Sequence, residues 1–260
     1  MISWDYSAAG AVTGFLVGLT GVGGGALMTP ILLLVFGIAP TTAIATDLWF
    51  AALTKIVGAA IHHQSGQIDW QVVKRLWTGS LPMALLVVLL LALGETISKV
   101  GWLNHAIGGI VIITAIGMLF SHKLMALARR KRTGDAARFK SLQPALTVMA
   151  GASLGVIVAL TSVGAGALGS VMLVYLYPLR MTPHRLVATD LVHAIPLAIV
   201  AGLGYLIAGK VDGHMLLSLL AGSIPAVILG SLLAQRATAS WIKRVLSLVL
   251  ILVGLKTLYG

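Results

Sequence analysis

Apolar residues run along this chain in long blocks separated by short polar or basic stretches. A helix needs about 20 predominantly apolar residues to cross a bilayer. The blocks predict membrane segments at 7–37, 42–63, 72–94, 102–121, 142–179, 183–208, 214–234 and 240–259. Segments 7–37 and 142–179 are too long for a single crossing, and each contains a glycine-rich interruption. The first reads Thr20-Gly21-Val22-Gly23-Gly24-Gly25 and the second Thr161-Ser162-Val163-Gly164-Ala165-Gly166. Each glycine costs a helix about 1 kcal/mol relative to alanine. Clustered glycines are therefore expected to unwind the helix and split each segment.

The two interruptions belong to an internal repeat. Thr20-x-Val22-Gly23-x-Gly25-Ala26-Leu27 recurs 141 residues later as Thr161-x-Val163-Gly164-x-Gly166-Ala167-Leu168. From Pro40 onward the shift is 143, and residues 40–82 match 183–225 at 14 of 43 positions. Ala45-Thr46-Asp47-Leu48 aligns with Ala188-Thr189-Asp190-Leu191, and Gly66-x-x-Asp69 with Gly209-x-x-Asp212. Gly79-Ser80-x-Pro82 aligns with Gly222-Ser223-x-Pro225. Shared hydrophobicity does not align Asp with Asp twice or Pro with Pro twice. Duplicated halves are the common plan of secondary transporters. The halves span 1–121 and 142–260, joined by a basic loop at 122–141.

Composition agrees with this reading. Of 260 residues, 58% are hydrophobic and only 10% charged, and mean hydropathy is +1.02. A soluble domain carries about 25% charged residues. There is no cysteine, which excludes disulfides and thiolate chemistry. No Lys or Arg precedes Lys55, so the first apolar block lacks the basic flank of a signal peptide and is expected to be retained. The net charge of +11 points to basic cytoplasmic loops rather than to nucleic acid.

Those charges also discriminate between two topologies. If each interrupted segment crosses once, the halves are parallel and Lys and Arg divide 11 to 6 between the two sides. If each folds as a hairpin, the halves are inverted and the division is 14 to 3. The second obeys the positive-inside rule far better. The expected fold is all-α and polytopic, with two inverted repeats, about eight membrane segments and two glycine-broken helical hairpins. Both termini are expected outside the cell (inner) membrane, and loop 122–141 in the cytoplasm.

The run Gly14-x-x-x-Gly18-x-x-Gly21-x-Gly23-Gly24-Gly25 leads into an apolar helix with Pro30. Ala45-Thr46-Asp47 follows, then Gly66-x-Ile68-Asp69-Trp70. With the duplication, this pattern resembles the TauE/SafE family of sulfite exporters over nearly the whole chain. The resemblance implies a permease for sulfite, sulfonates or related sulfur oxyanions, usually outward. Both halves carry Thr-Asp where the family pattern leads one to expect Thr-Ser, and Lys55 within the membrane is unusual.

A helix that begins inside the membrane presents unpaired N–H groups and the positive end of its dipole, which suits an anion. The candidate substrate site is therefore Thr20, Gly21, Val22, Gly23, Gly24, Gly25, Thr161, Ser162, Val163, Gly164, Ala165 and Gly166, with Lys55 as a possible anion contact. The bland alternative is that the glycines only let helices pack closely. Asp47 and Asp190 lie within membrane segments, where an ionisable group is costly and usually functional. They are candidates for proton coupling or gating, or for structural ion pairs. His193, three residues after Asp190, is a candidate for sharing its proton. Asp69 and Asp212 are expected to be N-caps. No metal site or cofactor is expected: His62 and His63 are adjacent and point to different faces of a helix.

The function expected is transport of a small anion by alternating access, most simply export of sulfite or a related sulfur oxyanion or organosulfonate. The partners are that anion and the lipid bilayer; the sequence is silent on oligomeric state. An inside-negative potential favours export by about 2.3 kcal/mol per charge per 100 mV, so no coupling ion is required. Proton-coupled uptake of a small organic anion is the alternative. An accessory subunit or an intramembrane enzyme belongs to a different class. The chain shows no His-Glu-x-x-His, Gly-x-Ser-x-Gly or phosphate-loop signature, and it is not expected to be an enzyme.

Overall fold

The computed structural model describes residues 3–20, 25–62, 68–93, 102–120, 123, 126, 136–164, 166–234, 247–248, 251–252, 254–256 and 258. Among these the fold is all-helical, without strands. The helices are α1 (Trp4–Thr20), α2 (Gly25–Leu34), α3 (Pro40–His62), α4 (Trp70–Leu93), α5 (Trp102–Leu119), α6 (Ala136–Thr161), α7 (Ala167–Leu176), α8 (Pro183–Ile207) and α9 (Gly213–Ala234). Each long apolar block is split in two: α1 stops at Thr20 before α2, and α6 stops at Thr161 before α7. Helix α6 begins at Ala136, ahead of the expected 142, so its first turns carry Arg138 and Lys140. Among the described residues, five helices are long and apolar enough to cross a membrane: α3, α4, α6, α8 and α9. Their outer faces carry exposed Leu85, Leu89, Leu90, Ile207, Leu217, Leu229 and Leu232, a surface suited to lipid rather than water.

Helices of one half pack on helices of the other, and the residues in contact give their directions. Along α1 and α9, Gly10 faces Leu219, Gly14 faces Ser223 and Gly18 faces Val227, so the two run the same way. Along α4 and α6, Leu76 faces Gly151 and Ser80 faces Gly155, again in the same direction. A Cβ on Gly222 would lie 1.8 Å from the Ser7 carbonyl oxygen, and one on Gly79 2.0 Å from that of Val148. Only glycine allows backbones this close, and close packing is the main attraction between helices in lipid.

Helices α3 and α8 cross in the middle. The Trp49 indole N–H donates to the Gly202 carbonyl at 3.0 Å, so the start of α3 lies beside the end of α8. Ile44, Ala45, Leu48 and Ala52 pack there with Ala194, Leu197, Ala198 and Ala201. Two smaller cores flank this one. One gathers Met28, Leu32, Phe50, Met215 and Leu219; the other gathers Val72, Leu76, Leu173, Leu176 and Tyr177. In the first, the rings of Tyr6 and Phe36 lie 4.7 Å apart. Their repeat equivalents in the second, Thr147 and Tyr177, share a hydrogen bond of 2.7 Å. The contact is kept while its chemistry changes.

Candidate functional site

The Thr-Asp dipeptides lie in the first third of α3 and α8, at positions that make the threonine and the aspartate face different ways. Each threonine reaches the other half of the chain. Thr46 Oγ1 accepts from the Asp212 N–H at 3.2 Å, and Thr189 Oγ1 accepts from the Asp69 N–H at 3.1 Å. Asp69 and Asp212 cap the helices that follow: Asp69 Oδ1 accepts from the Val72 N–H at 3.4 Å and Asp212 Oδ1 from the Met215 N–H at 2.9 Å. An Asn, Asp, Ser or Thr at this position satisfies an otherwise orphaned N–H.

The two ends differ in charge. The Asp69 carboxyl is buried and pairs with Arg180, through Nε at 2.5 Å and Nη2 at 2.8 Å, and with Arg185 at 3.3 Å. Arg75 Nη1 donates to the Tyr177 hydroxyl nearby at 3.2 Å. At the Asp212 end, the repeat positions of Arg180 and Arg185 are Gly37 and Thr42. This arginine cluster joins residues from 69 to 185, and sequence spacing alone did not reveal it.

The aspartates of the dipeptides point inward. Asp47, Lys55, Asp190 and His193 are all buried. Asp47 Oδ2 accepts from the Thr29 hydroxyl of α2 at 2.5 Å, and Ser162 faces the same carboxyl. Lys55 lies within electrostatic range of both Asp47 and Asp190. Asp190 packs against α7 at Gly169, where a Cβ would come within 2.5 Å of Oδ1. Neither Asp190 oxygen has a hydrogen-bond partner among the described residues. His193 Nε2 lies 3.0 Å from Ser80 Oγ, while the Trp77 indole N–H donates to its carbonyl at 3.1 Å. No hydrogen bond joins His193 to Asp190 among the described residues, and the imidazole is turned toward α4.

The second helix break is built for an abrupt reversal. Ser162 has φ 58° and Gly164 φ 114°, both in the left-handed half of the backbone map. Thr161 Oγ1 accepts from the Val163 N–H at 3.2 Å and donates to the Ile157 carbonyl at 2.7 Å, closing α6. Helix α7 then starts after Gly166 with no side chain capping it. The Ser162 hydroxyl is buried without a hydrogen-bond partner of its own. An uncapped N-terminus, a free hydroxyl and a lysine near one carboxylate can hold a small anion. Val163 is buried, and Gly164 and Gly166 line the same turn.

The first break is described only at its edges. Gly21, Val22, Gly23 and Gly24 lie outside the described residues, as does Ala165 in the second, while Thr20 ends α1 and Gly25 begins α2. His63 also lies outside them. Thr29 and Ser80, which hold Asp47 and His193, were not singled out from sequence; Ser80 was visible only as a repeat match.

Comparison with known proteins bears on this arrangement. The profile of a family described as "Sulfite exporter TauE/SafE" matches residues 6–257. The Bacillus subtilis (strain 168) "Probable membrane transporter protein YjnA" is 36% identical over 251 residues, covering 95% of this chain and 96% of that protein. A "Probable membrane transporter protein" of Haemophilus influenzae is 28% identical over 164 residues, covering 60% of this chain and 57% of its own. One of Xylella fastidiosa (strain 9a5c) is 26% identical over 262 residues, covering 96% and 93%. No solved structure matches.

Proposed function

Because this chain belongs to the sulfite exporter TauE/SafE family and is a multi-pass membrane transporter, we propose that its cargo is a small anion, sulfite or a related sulfur oxyanion or sulfonate, moved outward across the cell membrane. The observation that carries the anionic reading is the break between α6 and α7. There α7 starts without a side-chain cap, the Ser162 hydroxyl faces Asp47, and Lys55 lies within electrostatic range of Asp47. The break between α1 and α2 is its repeat equivalent in the sequence. The family name adds the sulfur oxyanion; the residues supply only the preference for negative charge.

The helix directions support inverted repeats. Thr46 meets Asp212 and Gly58 meets Val227, so α3 runs with α9; Asp69 meets Thr189 and Gly204 meets Val88, so α4 runs with α8. Helices α1 and α3 thus share a direction, and α2 turns back between them as one arm of a hairpin. Rocking of the two halves about the α3–α8 crossing then exposes the site alternately, with the arginine-rich Asp69 end and loop 122–141 toward the cytoplasm and both termini outside.

The test is efflux of labelled sulfite from proteoliposomes holding only this protein, with and without an imposed potential. Efflux above that of protein-free vesicles is the expected result, and its response to the potential gives the charge moved. Folded protein that moves neither sulfite nor an alkanesulfonate overturns the assignment of cargo.

A further inference from the structure

Asp47, Asp190 and Lys55 form a buried charge cluster at the α3–α8 crossing, and the function proposed above brings an anion to it. With both carboxylates ionised and Lys55 charged, the cluster carries one net negative charge. His193, hydrogen-bonded to Ser80, is neutral in that count. An anion does not settle beside net negative charge in a poorly solvated site. One carboxylate must therefore be neutral while the anion is bound.

The geometry distinguishes the two. Asp47 has a donor on one oxygen: the Thr29 hydroxyl donates to Oδ2, while Oδ1 has no hydrogen-bond partner among the described residues. Hydrogen-bond donors of this kind hold the charged form. Asp190 has none, since both its oxygens lack a hydrogen-bond partner although the residue is 1% exposed. Its Oδ1 rests over Gly169, on a wall shared with Leu154.

The charged or titratable groups that face Asp190 are few. Helix α3 contributes Lys55 and, beyond it, Asp47; His193, on the same helix as Asp190, is turned toward Ser80. Helix α7 carries no Asp, Glu, Lys, Arg or His. Helices α4 and α6 carry their charges in their first turns, away from the crossing. The Asp69–Arg180–Arg185 ion pairs meet α8 at Thr189, the residue before Asp190, whose hydroxyl accepts from the Asp69 N–H.

We infer that Asp190 takes up a proton when the anion binds, and that this protein moves one proton with each substrate anion while Asp47, held by the Thr29 hydroxyl, stays ionised. The proton is taken from water on the side where the anion enters and released to water where it leaves. Nothing is oxidised, and no bond other than that O–H bond is made or broken. The inference rests on the anionic cargo proposed above.

The experiment measures sulfite and proton movement together in proteoliposomes containing a pH-sensitive dye. Bisulfite carries its own proton whatever the protein does, so the readout is a difference between proteins at one pH. The wild type should move one proton more per sulfur than Asp190→Asn, and Asp190→Glu should restore that proton. An equal ratio in wild type and Asp190→Asn overturns the inference while leaving the cargo assignment intact. Absence of any sulfite flux in the wild type overturns the cargo assignment first. Should Asp190→Asn fail to fold or to exchange sulfite, the infrared carbonyl band of a protonated carboxylic acid decides instead. That band should grow in the wild type when sulfite is added, and its frequency should shift in a folded Asp190→Glu. A wild-type spectrum in which sulfite produces no such band overturns the inference.

Discussion

Thr189 Oγ1 accepts a hydrogen bond from the Asp69 backbone N–H at 3.1 Å, joining the two halves of the chain. Thr46 and Asp212 repeat the contact at 3.2 Å. In each case the next residue is the aspartate that enters the buried cluster. One dipeptide thus ties a helix start in the opposite half to the candidate site.

Thr189→Val keeps the shape of the side chain and removes the acceptor. It should lower stability by about 1 kcal/mol, the usual worth of such a hydrogen bond. Thr46→Val should cost a similar amount, and the two losses should add because the contacts lie at different ends. Unfolding of the purified variants in detergent checks this; two losses that fail to add would show that the latches are coupled.

Lys55 is 2% exposed and lies near two carboxylates. Lys55→Met should destabilise the protein by roughly 3–5 kcal/mol, because it leaves buried negative charge without compensation. Adding Asp190→Asn should recover more of that loss than adding Asp47→Asn. Thermal unfolding of the three variants is the measurement, and equal recovery by both would contradict the stronger coupling of Lys55 to Asp190.

Gly164 has φ 114°, a conformation that side chains rarely adopt. Gly164→Ala should introduce strain of about 1–3 kcal/mol at the turn into α7. Sulfite flux should fall as the turn is distorted. Flux equal to wild type would show that this turn does not shape the site.

Gly222 and Gly109 make opposite demands. A Cβ at Gly222 would meet the Ser7 carbonyl at 1.8 Å, whereas at Gly109 nothing lies within 4 Å. Gly222→Ala should force α1 from α9 and cost about 1–3 kcal/mol. Gly109→Ala, within α5, should raise stability by about 0.5–1 kcal/mol. The order of their melting temperatures in detergent checks both.

The chain contains no cysteine, so single cysteines report topology without background. Ser3→Cys should react with an impermeant maleimide in intact cells, and Thr133→Cys only after permeabilisation. The reverse pattern would place the termini in the cytoplasm and end the orientation proposed here.

Much of this protein was legible in one dimension. Lipid demands long apolar blocks and glycine breaks a helix, so the all-helical membrane class and the splits after Thr20 and Thr161 follow from composition and order alone. The duplication was equally plain, because Asp and Pro recur at a fixed shift. What spacing could not supply was partnership. Lys55 stands eight residues from Asp47 on one helix, too far for a direct pair, yet folding brings it near Asp190, 135 residues away. His193 is three residues from Asp190, yet it bonds to Ser80 on another helix. Arg180 and Arg185 find Asp69 in the opposite half. Local periodicity records which face of a helix a side chain occupies. Only packing of the two halves decides what that face meets, and in a membrane the cost of leaving a charge unmatched makes that meeting decisive.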